Sequence, residues 1–321
     1  MPTYTARWII NRSITYGDVV TSWVQHSVSV SAAANAGIID DTHGDVPRLA
    51  VYCRPPVAAG LLVCAHATGL HAHVFATLAK LLAEYDLVAY DARGHGASSP
   101  GPVTPEWDMY GTDARIVTRW ARQRALRPIG PVVGVGHSMG ATALVMAALV
   151  EPTLFDLLIV VEPIIFPPRD VTPDSPLAAG ARRRRTVFPS LDAARENYAA
   201  KPPLNELDPR VLRDYVHHGF VAVDGGYALR CAPEYEARTY EMGVAHDTWH
   251  RLDELLVPTL VLAGRLAPQQ PSALASDIAS RIPSARFERW DDAGHFAPLE
   301  RPERFADLVR REVEHLAPTI S

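Results

Sequence analysis

A chain of 321 residues is long for one compact domain and long enough to bury a sizeable core. With 48% apolar and 21% charged residues and a formal net charge of −5, it has an ordinary globular composition with no electrostatic basis for binding nucleic acid or an anionic membrane. Its three cysteines (Cys53, Cys64 and Cys231) are widely spaced and odd in number, which suits core positions in a reducing compartment rather than a disulfide or metal framework.

Residues 1–11 lack a basic start followed by an apolar core, and no stretch reaches transmembrane length, so a cytoplasmic location is expected. Strand character runs over residues 19–30, and residues 31–44, rich in Ala, Gly, Asp and Ser, read as a loop. From Val46 onward the pattern is regular. Apolar runs at 49–53, 61–65, 87–90, 132–135, 157–161 and 259–263, with a weaker one at 286–290, alternate with helical stripes. One stripe is Val74, Leu78, Leu81, Leu82 and Tyr85; another is Phe305, Leu308, Val309, Val313 and Leu316, opened by Pro302. Near-continuous apolar strands alternating with helices predict a mostly parallel α/β sheet covered on both faces. The rhythm breaks between Glu162 and Thr259, where a long polar, helical segment reads as a cap over the site.

The chemistry centres on Gly136-His137-Ser138-Met139-Gly140, directly after the run at 132–135 and before a small-residue helix starting at Ala141. A strand ending in Gly-x-Ser-x-Gly and feeding a helix is the pattern of a sharp turn that lifts a serine hydroxyl above a sheet edge. A serine nucleophile needs a base, and the base needs an orienting acceptor. His295, in Asp291-Asp292-Ala293-Gly294-His295-Phe296, lies between the last strand-like run and the C-terminal helix and is the candidate base. His66, His71, His73, His95 and His137 are weaker candidates. His71-x-His73 has metal-pair spacing, but no Cys or carboxylate cluster accompanies it, so no metal and no cofactor is expected.

The orienting acid is missing from the place where many such enzymes carry it. After the run at 259–263 the chain reads Gly264-Arg265-Leu266-Ala267-Pro268, and the next carboxylate is Asp277. One strand earlier, the run at 157–161 closes in Glu162-Pro163. A carboxylate ending a buried strand needs a compensating partner, which a histidine Nδ1–H would supply. Glu162 is therefore the candidate acid, with Asp253, Asp291 and Asp292 as alternatives. Two N–H donors are needed for a developing oxyanion: the Met139 amide, and from His66-Ala67-Thr68-Gly69 the Thr68 amide.

Taken together, these residues resemble the α/β-hydrolase superfamily over about residues 47–317. His66-Ala67-Thr68-Gly69 looks like its oxyanion loop, and Asp91-Ala92-Arg93-Gly94-His95-Gly96 like the loop after the next strand, with Asp91 and Arg93 expected to pair within it. Gly136 to Gly140 is similar to its nucleophile elbow, and Gly294-His295-Phe296 to its histidine loop. Some branches place a Glu where Glu162 stands, and Ala65-His66-Ala67-Thr68-Gly69 with Val161-Glu162-Pro163 resembles bacterial relatives of fungal toxin-biosynthesis hydrolases. The resemblance implies an eight-stranded sheet, with residues 1–46 as an N-terminal extension, 47–162 and 255–321 as the core, and 163–254 as a helical cap inserted after the sixth strand. It also implies hydrolysis of a small, largely apolar ester or lactone through an acyl-enzyme. Thioester hydrolysis, acyl transfer and C–C bond hydrolysis use the same residues, and a non-catalytic binding protein on the same fold is the reading from another class. Within the cap, the arginine run at 182–185 is expected to be a solvated face or to offer one arginine to a substrate carboxylate. His66, His137, Phe188 and Tyr240 are the candidate substrate contacts.

Overall fold

The computed structural model describes residues 23–30, 47–54, 59–124, 130–168, 175–243, 245–268 and 270–316. Eight strands form the main sheet: β1 (Val24–Ser29), β2 (Arg48–Cys53), β3 (Leu61–Ala65), β4 (Asp86–Tyr90), β5 (Val132–His137), β6 (Leu157–Val161), β10 (Thr259–Ala263) and β11 (Ala285–Arg289). Their order is β1-β2-β4-β3-β5-β6-β10-β11. β2 runs antiparallel to both β1 and β4, and every other pairing is parallel. The expected strand at 19–30 is seen from Val24; residues 19–22 and the expected loop at 31–44 lie outside the described residues.

The strands are apolar along their whole length because both faces of the sheet are covered. Leu61, Val63 and Ala65 of β3 pack on one side with helices α2 (Trp107–Arg124), α3 (Met139–Val150) and α8 (Ala275–Arg281). Leu62 and Cys64 face the other side, toward α1 (Ala76–Leu81) and the C-terminal helix (Pro302–Leu316). Cys53, Cys64 and Cys231 are all buried and unpaired, and burial pushes the Cys53 thiol up to about 11.

Between β6 and β10 the chain forms helices α4 (Pro176–Arg182), α5 (Leu191–Ala199), α6 (Pro209–His218) and α7 (Pro233–Met242). This segment is not wholly helical. Strands β7 (Val187–Phe188), β8 (Phe220–Val223) and β9 (Gly226–Leu229) make a three-stranded antiparallel sheet, with β8 and β9 joined at Asp224-Gly225. Gly225, at positive φ, takes the second position of that two-residue turn. Among the described residues no helix is long and apolar enough to cross a membrane. All the parallel strands end on one edge of the main sheet, so the loops after β3, β4, β5, β6 and β10 converge there.

Candidate active site

β5 ends at His137, and Ser138 makes the turn into α3 with φ 54° and ψ −114°. That conformation is costly for a residue with a Cβ, and the surrounding structure holds it in place. The Ser138 N–H donates to Val161 O at 2.8 Å, and its carbonyl accepts the Thr142 N–H at 3.1 Å. The two glycines are steric requirements. A Cβ on Gly140 would lie 2.3 Å from Ala65 O, and one on Gly136 would lie 2.5 Å from Ala141 Cα. The close approach at Gly140 brings the start of α3, and with it the Met139 amide, against the end of β3 where the His66-Ala67-Thr68 loop begins.

Glu162 follows β6 at φ 44° and is 1% exposed. Its Oε2 accepts from His295 Nδ1 at 2.5 Å, and its Oε1 accepts the Gly264 N–H at 2.8 Å. The Gly264 amide therefore stands where the expected carboxylate is missing, and it binds the carboxylate that reaches across from the neighbouring strand. The alternative acids are elsewhere: Asp291 pairs with Arg289, Asp292 with Arg304, and Asp253 is exposed. His295 is partly exposed, its side chain 29% accessible against 1% for Glu162. With Nδ1–H committed to Glu162, its Nε2 keeps a lone pair.

The loop carrying His295 is held from two sides. His137 Nε2–H donates to His295 O at 2.9 Å, and the two imidazoles lie 4.8 Å apart, centroid to centroid. Burial, with His295 close by, holds the His137 ring well below its usual pKa, so it is neutral. The Glu300 carboxylate accepts the Gly294 N–H at 2.7 Å and the Phe296 N–H at 3.2 Å, so the residues flanking His295 are tied to one side chain. Sequence reasoning missed Glu300; its position five residues after a Gly-His, in the first turn before Pro302, was the available signal.

Several expected roles change. His66 is 1% exposed, with Nδ1–H donating to Ala67 O at 2.8 Å and Nε2 accepting the Ala92 N–H at 3.0 Å. Both nitrogens are used by backbone, so His66 buttresses the loop and has none left for substrate. Phe188 is fully enclosed between Phe220 and Tyr198, packing the insertion on itself. His137 braces the histidine loop, and the Tyr240 hydroxyl points to Glu236 Oε1 at 3.5 Å. Asp91 and Arg93 do not pair with each other. Asp91 accepts from the Ala72 and Ala97 amides, both at 2.7 Å, and from Tyr52, while Arg93 forms a two-point contact with Asp113 on α2. His71 and His73 also diverge: His71 Nε2–H donates to Tyr215 O, and His73 stacks on His218 at 3.6 Å.

The chain matches the model of the Alpha/beta hydrolase family over residues 62–308. It is 25% identical over 261 residues to the 2-(acetamidomethylene)succinate hydrolase of Mesorhizobium japonicum, covering 81% of this chain and 90% of that one. An abhydrolase domain-containing protein of Alternaria alternata is 23% identical over 215 residues, covering 56% of this chain and 81% of its own. A crystal structure of E-2-(acetamidomethylene)succinate hydrolase superposes with a TM-score of 0.70 at 20% identity, covering 91% of this chain and 99% of that chain.

Proposed function

The chain belongs to the alpha/beta-hydrolase family, and on that premise we propose that it is a serine hydrolase cleaving a carboxylic ester or lactone through an acyl-enzyme. The observation that carries this reading is the Glu162–His295 contact at 2.5 Å, one residue from the strained Ser138 turn by way of the His137–His295 hydrogen bond. Ser138 Oγ attacks the substrate carbonyl while His295 Nε2 takes its proton. Glu162 keeps the imidazole in the tautomer with a free Nε2 and balances the imidazolium that forms. The Met139 and Thr68 amides are the donors assigned to the carbonyl oxygen as it becomes an oxyanion. His295 then returns the proton to the leaving alkoxide, and a water activated by His295 cleaves the acyl-enzyme, releasing the acid and restoring Ser138. A serine at the elbow, rather than an aspartate, separates this chemistry from hydrolases whose nucleophile is a carboxylate.

The test is active-site labelling with a fluorophosphonate, alongside hydrolysis of a short activated ester. Wild-type protein is expected to take up one label and turn over the ester, and Ser138→Ala to do neither. Labelling or turnover that survives in Ser138→Ala rejects the assignment, and an unlabelled, inactive wild-type protein favours a binding role.

A further inference from the structure

The run of four arginines at 182–185 divides. Arg182 pairs with Glu234 and Glu241 at the surface, Arg183 is exposed, and Arg185 lies over the Phe188 ring from the solvent side. Arg184 alone turns inward. Its Nη1 meets Glu236, and its Nη2 donates to Tyr198 Oη at 3.1 Å and Tyr215 Oη at 2.6 Å. One guanidinium, placed between α4 and β7, thus ties α5, α6 and α7 together.

This cluster also touches the core at the loop after β3. Glu236 is 5% exposed, and a Cβ built on Gly69, which sits at φ 76°, would lie 2.5 Å from Glu236 Oε1 and 3.4 Å from Arg184 Nη1. Gly69 immediately follows Thr68, the residue assigned as the second oxyanion donor. The preceding side chain on α7, Tyr235, lies over Gly94 and Gly101 of the loop after β4, with its hydroxyl 3.2 Å from that of Tyr110. Helix α7 therefore seats two consecutive side chains in glycine sockets of two site-edge loops. Only a residue without a Cβ leaves room for either.

We propose that the Arg184–Glu236 pair is a positioning device for the oxyanion loop. Glu236 presses on Gly69 and so holds the Thr68 amide in line with the Met139 amide, while Arg184 cancels a carboxylate charge that would otherwise oppose the oxyanion. This rests on the serine-hydrolase reading above. A negative charge buried one residue from an oxyanion donor disfavours the transition state more than the ground state, because the substrate carbonyl gains its charge only on attack. The pair is therefore worth more to turnover than to substrate binding, and the neutral double variant is less damaged than the variant that strips Glu236 of its cation.

The experiment compares an aryl ester with its thionoester, whose sulfur is a poor hydrogen-bond acceptor and draws little from the amide donors. Full-length wild type, Arg184→Met, Glu236→Gln and Arg184→Met/Glu236→Gln are assayed, with circular dichroism melts to confirm folding. Arg184→Met is expected to lose about tenfold in kcat on the ester, a fraction of the roughly hundred- to thousandfold carried by a whole donor. Its KM changes little, its thionoester kcat changes far less, and the double variant recovers most of the ester loss. Parallel losses on ester and thionoester, no loss on either, or a double variant worse than Arg184→Met would overturn the proposal. If Arg184→Met fails to fold, Arg184→Lys replaces it, with a smaller ester-selective loss expected and parallel losses again rejecting the idea. Failure of the underlying reading is distinguished by fluorophosphonate labelling of Ser138, which none of these variants removes.

Discussion

Glu162, the proposed acid, stands one strand before the position where such a residue is usually found. Its carboxylate is buried at the end of β6, which would be costly for an unpaired charge. The cost is offset by two donors from different loops, the Gly264 amide and His295 Nδ1. The candidate acid was legible because a charged residue directly after five apolar ones is conspicuous. Its second partner was not, since a backbone N–H carries no residue-type signal. Glu162→Gln preserves shape but replaces one carboxylate oxygen with an amide nitrogen, which cannot accept the Nδ1–H. We expect kcat on a short ester to fall by roughly 10³- to 10⁴-fold with KM little changed, as for removal of the acid in other Ser-His-acid sites. Near-normal activity in Glu162→Gln, together with loss of activity in Asp292→Asn, would place the acid elsewhere.

Among the elements, α3 is the one whose position the site depends on most. It is built from small residues: Ala141 lies against Gly136 of β5, while Ala143 and Ala147 lie beside Gly111 of α2. Larger side chains would hold the helix off β5 or off α2 and move Ser138 with it. Gly140 is the tightest point, because a methyl group there would meet Ala65 O and His66 O at once. Gly140→Ala is expected to lower stability by about 1–3 kcal/mol, the usual cost of overpacking, and to reduce ester turnover by at least tenfold, since the Met139 amide moves with the helix. Urea denaturation and steady-state kinetics check both effects, and a variant matching wild type in each would show that the contact relaxes freely. The helices of the core were readable from their apolar stripes. The hairpin of β8 and β9 was not, because Val221 and Val223 are exposed and no alternating buried face marks the strands.

Across the whole molecule, the seam between the core and the insertion is lined with rings. His71 and His73, from the core, face Tyr215 and His218 of α6, with Trp23 and Tyr52 also on His73. Arg230 lies nearby and adds positive charge. Burial, to which Arg230 adds, pushes His71 down to about 4 and His218 to about 3, and holds His73 low as well. These three imidazoles stay neutral in the folded protein, whereas in the unfolded chain each binds a proton below about pH 6.5. Their contribution to stability is complete above that pH and is lost as pH falls toward about 4, the unfolded state then holding roughly three more protons. The melting temperature is expected to drop between pH 7 and pH 5, and His73→Gln/His218→Gln to flatten that dependence. An unchanged slope in the double variant would show that groups other than these two rings set it.

The alternation of strands and helices, the serine turn, the candidate base and the candidate acid were all present in local pattern, because each depends on neighbours in sequence: apolar runs, a Gly-x-Ser-x-Gly turn, a Gly-His, a carboxylate closing a strand. Residues that look alike locally were sorted by folding. Of five histidines near the site edge, His66 and His137 were assigned to backbone partners 26 and 158 positions away. Of four consecutive arginines, one was turned inward to meet Glu236, 52 residues further on. Such contacts join segments with no common local signature, so burial, which removes water as the competing partner, is what selects among otherwise equivalent side chains.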